Sequence, residues 1–270
     1  MPELPEVETS RRGIAPWVEN QRVIAVAIRD SRLRWPVPPA VGAGLTGHTI
    51  RSLRRRAKYL IMDTDAGSAL LHLGMSGSLR IVEPDEPPGR HDHYDILLAN
   101  GKALRFRDPR RFGSLLWADD PQQHPLLRGL GPEPLGPDFS GEYLWRSGRG
   151  RRVAIKLFVM NASIVVGVGN IYANESLYAA GINPKRRAGR VSAERMERLA
   201  EAIRNVLSAA ITAGGTTLRD FYGGDGEPGY FRTRLDVYER NGLPCRRCGE
   251  PIAHAVLGQR STYWCKRCQR

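Results

Sequence analysis

The placement of the cysteines constrains this 270-residue chain more than any other feature: all four fall in the last 26 residues, as Cys245-x2-Cys248-x16-Cys265-x2-Cys268. Two such knuckles supply four thiolates at the spacing that a tetrahedral zinc site requires. In a reducing compartment, paired spacing of this kind favours a metal over disulfides. One structural Zn2+ held by Cys245, Cys248, Cys265 and Cys268 is therefore expected. A site closed by four protein ligands leaves no open position for catalysis. Arg246, Arg247, Arg260, Lys266 and Arg267 surround the knuckles, so the module would present cations to phosphates.

Charge narrows the class of partner. With 41 Lys and Arg against 28 Asp and Glu the chain carries +13, which makes a polyanion the expected partner. The opening MPELPEVE is acidic and broken by proline, so it resembles neither a secretory signal nor a transit peptide. The longest uncharged stretch, Leu157 to Asn174, is interrupted by Asn161, Ser163, Gly167, Gly169 and Asn170 and falls short of a spanning helix. No basic amphipathic helix with an aromatic face is present, which removes a membrane surface as partner. Nucleic acid remains, with a cytoplasmic location. Only five of the 41 cations are Lys (Lys58, Lys102, Lys156, Lys185 and Lys266), and a lysine kept in so arginine-rich a chain marks a place where an ammonium serves and a guanidinium does not.

The pattern along the chain divides it. Residues 4 to 20 read as a helix entered through Glu3, Glu6 and Glu8, with Arg11 and Arg12 later, as a helix dipole favours. From Arg22 to about Trp117 short alternating runs such as KYLIMDT, GSLRIVE and YDILLAN read as strands. Asn100-Gly101 and Asp65-Ala66-Gly67 carry hairpin chemistry between them. An antiparallel sandwich or barrel follows. The Pro- and Gly-rich PEPLGPDFS at 132 to 140 then places a domain boundary, giving domains at 1–131, 132–235 and 236–270. Beyond it, a helix over roughly 169 to 180 ends at Gly181. A second has its apolar face on Met196, Leu199, Ile203, Val206, Leu207 and Ala210, capped by Ser192 and stopped by Gly214-Gly215. Residues 215 to 235, with five glycines and with Phe221, Tyr222, Tyr230 and Phe231, read as a loop too aromatic for a plain linker.

Several residues allow two readings on their own. Pro2 and Pro5 can simply set a helix entry. If Met1 is removed, Pro2 instead exposes a secondary amine that titrates near pH ~8 and is partly nucleophilic at neutral pH, with Glu3 beside it to handle protons. Lys58 is a strand-end cation or a functional ammonium. Met75 and Phe112 are core residues by habit, although Gly74, Ser76 and Gly77 make an exposed turn around the methionine. Asn170 opens a helix whose N-terminal amides can bind phosphate, or merely caps it. His72, His91 and Arg151 are surface or turn residues, or contacts to a ligand.

The motifs MPELPEVET, RRAKYL (55 to 60), HLGMSG (72 to 77), DPRRFG (108 to 113), VVGVGNIYANE (165 to 175), DGEPGYF (225 to 231) and GQRSTYWC (258 to 265) occur in one order across almost the whole chain. In that order they resemble the bacterial formamidopyrimidine-DNA glycosylase family. The resemblance implies an α+β chain: an N-terminal antiparallel β-sandwich with an N-terminal helix, a helix-two-turn-helix domain and a zinc β-hairpin, with damaged double-stranded DNA bound in the cleft between them by a monomer. It further implies that Pro2 forms a Schiff base, that Glu3 assists opening of the deoxyribose ring, and that Lys58 and Arg260 serve proton transfer and phosphate binding. Met75, Arg110 and Phe112 would fill the void left by an everted nucleotide, and His72, His91, Arg151 and Asn170 would lie near DNA. The implied reaction excises 8-oxoguanine and formamidopyrimidines and then cleaves the strand by β- and δ-elimination. The Gly-rich loop distinguishes this reading from a relative acting on oxidised pyrimidines, of the endonuclease VIII type. A non-catalytic, zinc-dependent damage-binding protein would have no use for a free N-terminal proline. One departure is Tyr238-Glu239-Arg240, where a small residue commonly follows the tyrosine.

Overall fold

The computed structural model describes residues 2–215 and 235–270, which fall into two compact units: residues 2–128 with 213–215, and residues 129–212 with 235–270. The expected Gly-rich loop lies outside the described residues.

The first unit begins with α1 (Leu4–Val18), β1 (Val23–Ile28), α2 (Pro39–Leu45), β2 (Ser52–Arg56) and β3 (Tyr59–Asp63). It continues with β4 (Ser68–His72), β5 (Ser78–Val82), β6 (Asp92–Leu98), β7 (Ala103–Arg107) and β8 (Ser114–Ala118). All strand pairs are antiparallel, in two four-stranded sheets ordered β1-β6-β7-β5 and β2-β3-β4-β8. Leu53, Leu60, Met62 and Leu71 of one sheet meet Ile96, Leu104 and Phe106 of the other in a common core, closed by Val7, Ile14 and Val18 of α1 and by Val41 and Leu45 of α2. This is the expected sandwich. Asn100-Gly101 turns β6 into β7 with Gly101 at φ 77°, and Gly67 at φ 140° turns β3 into β4, where the turn chemistry places them.

Helix α2 lies inside the segment read as strands. Its sequence, PAVGAGL, has weak helix propensity, and Gly44 is there because the Trp117 ring covers it: a Cβ would come within 2.3 Å of that ring. Helix α1 ends at Val18, two residues before the expected limit, because Asn20 takes a left-handed φ of 62°.

The second unit contains α3 (Gly141–Gly148), α4 (Ile155–Val159), α5 (Asn170–Ala179), a 3-10 turn at Ala188–Arg190, α6 (Ala193–Thr212), β9 (Ile252–Leu257) and β10 (Arg260–Cys265). Helix α6 matches its apolar period: the Ser192 hydroxyl accepts the Arg195 N–H, and Gly214 and Gly215 follow at φ 76° and 81°. Helix α5 is buried from Ile171 to Tyr178 although Asn174, Glu175 and Ser176 are polar, so those groups must find partners inside the protein. Strands β9 and β10 form a hairpin whose two-residue turn, Gly258-Gln259, has φ 53° and 60°, the left-handed pair that a tight antiparallel hairpin prefers.

Candidate functional site

In the first unit the N-terminus is held by reciprocal bonds. The Glu3 N–H donates to the Glu6 carboxylate at 2.8 Å and the Glu3 carboxylate accepts from the Glu6 backbone, a capping box that buries both acids at the start of α1. Pro2 is buried immediately before it. One turn later Glu8 receives Arg11, Arg12 and Arg55, and their hydrogen bonds outweigh its burial and hold its carboxyl below the usual range. Arg55 also donates to the Ala57 carbonyl at 3.0 Å. It thereby ties α1 to the two-residue turn that joins β2 to β3 and carries Lys58, with Ala57 at φ 56°.

Tyr59 pairs with His72 across β3 and β4, their rings 4.8 Å apart, which brings His72 beside Lys58. Burial, then the Lys58 and Arg34 charges, pushes the His72 imidazole down to about 4. His72 is thus neutral at pH 7. Its Nδ1 accepts the Gly74 N–H at 2.9 Å, so the proton sits on Nε2, available to donate outward.

Met75, His91, Arg110 and Phe112 come together through a residue with no role in the reading of the sequence. Asp108 is fully buried; its Oδ1 accepts the Ser76 hydroxyl (2.7 Å) and the Arg110 N–H (3.2 Å), and its Oδ2 accepts the Gly113 N–H (2.8 Å). Its own N–H donates to the His91 carbonyl at 3.0 Å, and its carbonyl meets His93 Nε2 at 2.7 Å. Gly74, at φ 66°, lets the two loops abut, since a Cβ there would lie 2.4 Å from the Gly113 nitrogen. Phe112 is 43% exposed with the Arg110 guanidinium 5.1 Å over its ring, so an aromatic plate and a cation project from a rigid base rather than joining the core.

In the second unit four buried polar groups peg the zinc module to the helices. Lys156, fully buried, donates to the Ser261 carbonyl (2.8 Å) and the Thr262 hydroxyl (2.7 Å). Asn174 accepts the Tyr263 N–H at 2.8 Å. Glu175, whose carboxyl burial pushes up, accepts the N–H groups of Asp236, Val237 and Tyr238 at 2.8 to 3.0 Å. The Tyr178 hydroxyl meets Cys245 Sγ at 3.2 Å, with Arg247 4.2 Å over the tyrosine ring. Arg260 opens β10 beside these pegs and is exposed. Arg151 is exposed on the segment after α3, its Nε donating to the Ser147 carbonyl. Asn170 is the first residue of α5, with Gly169 as the cap, and its buried Oδ1 has no hydrogen-bond partner among the described residues.

Cys245, Cys248, Cys265 and Cys268 place their four sulfurs within 4.8 Å of one another, with Cys245 to Cys268 at 3.9 Å and Cys248 to Cys265 at 3.5 Å. Four sulfurs at roughly 2.3 Å from one zinc would stand about 3.8 Å apart, so the cluster fits a closed tetrahedral site. Burial pushes the Cys245 thiol up, but hydrogen bonds from the Tyr178 hydroxyl and the Arg247 and Cys248 backbones outweigh it and favour the thiolate that a metal needs.

Asp108, Lys156, Asn174 and Glu175 are the residues to which sequence reasoning assigned no site, whereas Glu6 was read as one of the acids at the helix entry. Lys156 carried a signal, being one of the five retained lysines, and Asn170 and Asn174 stand one turn apart on α5, where the Asn174 amide donates to the Asn170 carbonyl.

Comparison with known proteins covers the whole chain. Family models match in order: a formamidopyrimidine-DNA glycosylase N-terminal domain at residues 1–115, a formamidopyrimidine-DNA glycosylase H2TH domain at 130–222, and a zinc finger found in FPG and IleRS at 242–270. Formamidopyrimidine-DNA glycosylases from Stenotrophomonas maltophilia (strain R551-3) and Syntrophotalea carbinolica are each 59% identical to it, with all of both chains covered. Among solved structures, the MutM (FPG) protein from Thermus thermophilus matches at a TM-score of 0.88 and 38% identity over 99% of this chain and 98% of that one. The Lactococcus lactis FPG mutant G226P in complex with a Fapy-dG containing DNA matches at 0.92 and 32% identity over all of both chains.

Proposed function

The chain belongs to the formamidopyrimidine-DNA glycosylase family, and on that premise we propose that it excises 8-oxoguanine and formamidopyrimidines from damaged duplex DNA and then cuts the strand. The observation that carries the reading is the loop pair held by Asp108, which presents Met75, Arg110 and Phe112 from one base. Everting a nucleotide leaves a hole in the stack, and an apolar wedge, an aromatic plate and a guanidinium able to pair with the orphaned cytosine reduce that cost.

Removal of Met1 converts the Pro2 nitrogen from an amide into a secondary amine with a free lone pair. That lone pair attacks C1′ of the damaged nucleotide; the glycosidic bond breaks, and the base leaves with its electron pair and takes up a proton. Glu3 assists opening of the deoxyribose ring, and the resulting iminium acidifies C2′. Loss of the C2′ proton expels the 3′ phosphate, and a second elimination expels the 5′ phosphate, with Lys58 and Arg260 binding phosphate and moving protons. Neutral His72 donates from Nε2 to the backbone, and Asn170, His91 and Arg151 bind nearby phosphates. Zinc bound by the four cysteines holds the hairpin that carries Arg260 and takes no part in the chemistry. On this reading the work on DNA is done in the cytoplasm by a single chain; no described helix is long and apolar enough to cross a membrane.

The test is borohydride trapping on an 8-oxoguanine:cytosine duplex, comparing Met-processed protein with a form blocked ahead of Pro2. A covalent protein-DNA adduct is expected only with the free Pro2. No adduct from processed, zinc-loaded protein overturns the lyase assignment, and faster action on a thymine glycol duplex overturns the substrate.

A further inference from the structure

Two arginine-rich segments of the second unit, far apart in sequence, are zipped together by their backbones. Arg149, Arg151 and Arg152 lie on the stretch after α3, and Lys185, Arg186, Arg187 and Arg190 on the stretch that runs through the 3-10 turn into α6. The Ile155 N–H donates to the Arg186 carbonyl at 2.7 Å, the Ala188 N–H to Val153 at 2.9 Å and the Gly189 N–H to Arg151 at 3.0 Å, with an antiparallel bridge between Ala154 and Arg187. Gly189 permits the approach, because a Cβ there would lie 3.0 Å from the Arg151 carbonyl and 3.1 Å from that of Gly148. The placement is therefore fixed by main chain, and all seven cations are exposed; Arg149 lies over the Trp145 ring and Lys185 over the Trp264 ring, while Arg151 and Arg186 donate only to backbone carbonyls, which leaves every charge unneutralised.

Among the described residues none of these seven has a carboxylate within salt-bridge distance. Four exposed arginines elsewhere are matched with acids and serve as a contrast: Arg12 with Glu8, Arg32 with Asp30, Arg54 with Asp63 and Arg198 with Glu194. The field is felt next door, where burial, followed by the Arg186 and Arg198 charges, lowers the Arg195 guanidinium from its ordinary value. Unmatched like charges on adjacent, backbone-bonded segments repel one another wherever they stand closer than the screening length of about 10 Å. Such a strip suits a partner whose own charges are closely spaced, and duplex DNA offers one phosphate charge per roughly 1.7 Å of its axis. An anionic membrane fits poorly, because the strip carries only Val153 as an exposed large apolar side chain and so has nothing to insert.

We propose that this strip is a second phosphate track, in which Lys185, Arg186, Arg187 and Arg190 extend the contact assigned to Arg151 and lengthen the duplex held beyond what the lesion itself requires. The proposal rests on the DNA-repair reading above and assigns a function to the 185–190 segment, which that reading leaves idle.

The test uses the full zinc-loaded chain and measures affinity against salt concentration, on abasic-analogue duplexes of about one and about three helical turns. The triple variant Arg186→Gln/Arg187→Gln/Arg190→Gln is compared with Arg12→Gln/Arg32→Gln/Arg54→Gln, which removes the same charge from acid-matched positions. On the long duplex the first is expected to lower the slope of log K against log salt by about 2 to 3, near 0.9 per lost phosphate contact, and to weaken binding about 100-fold at low salt. The matched-charge control is expected to change the slope by less than about 0.5. The all-lysine version, Arg186→Lys/Arg187→Lys/Arg190→Lys, is expected to restore the slope, since phosphate reads the charge rather than the guanidinium. An unchanged slope, an equal change in the control, or no restoration by lysine overturns the proposal. Borohydride trapping with the parent chain reports separately on the enzymatic reading, so its failure and that of the track are told apart.

Discussion

The two regions that carry functional loops are held in opposite ways. In the sheet unit a large apolar core from two sheets and two helices is already closed, and a single buried carboxylate, Asp108, suffices to fix the loops at its end. The zinc module has almost no core of its own: Val237, Cys245, Ile252 and Cys265 gather around Tyr178 of α5, and the rest of its fixation is polar. Where apolar area is scarce, a metal and buried hydrogen bonds take its place, which is the general solution for modules too small to bury enough surface.

The sharpest way to break this comparison is to remove the metal. A chelator should abolish amide protection in β9 and β10 and weaken DNA binding by at least about 100-fold, because structural zinc contributes on the order of 10–16 kcal/mol to such modules. Hydrogen exchange in β5, β6 and β7 should stay slow. Equal loss in both regions would show that the sheet unit also depends on the metal.

A smaller effect is expected from Asp108→Ala. It strands the Ser76 hydroxyl and the Gly113 N–H without their charged acceptor, which costs about 3–6 kcal/mol at roughly 1.5–3 per bond to a charged group. Urea unfolding of the sheet unit would read the stability, and a fluorescent base opposite the lesion would read base eversion. Loss of stability with normal eversion would mean that Asp108 holds the fold and not the loops.

The smallest expected effect sharpens the other side. Tyr178→Phe removes one hydrogen bond to the Cys245 thiolate and should weaken zinc retention about 10-fold, as partners of metal ligands commonly do, followed by the rate of zinc transfer to a coloured chelator. An unchanged rate would make the tyrosine a packing residue only.

What could be read ahead of the structure was what is local. The cysteine spacing, Asn100-Gly101, the Ser192 cap and the glycines after α6 each specify their own geometry within a few residues. Helix α3 escaped notice because only Leu144, among its apolar side chains, is buried, leaving no period to detect. The bonding partners of Asp108, Lys156 and Glu175 were illegible for a different reason, although Lys156 itself stood out as a retained lysine. Their long-range partners Ser76, Thr262 and Asp236 lie 32, 106 and 61 positions away, and nothing in the residues beside them records a bond made across the fold.

Because Asp108 clasps the Met75 loop and the Arg110-Phe112 loop at once, the proposed insertion of wedge and plate into a duplex cannot proceed one after the other. They form one plug. Penetration is then a single event with one activation barrier, and a time-resolved signal from the intercalated step should rise in one exponential, with no intermediate in which the helix is pried open from one side alone.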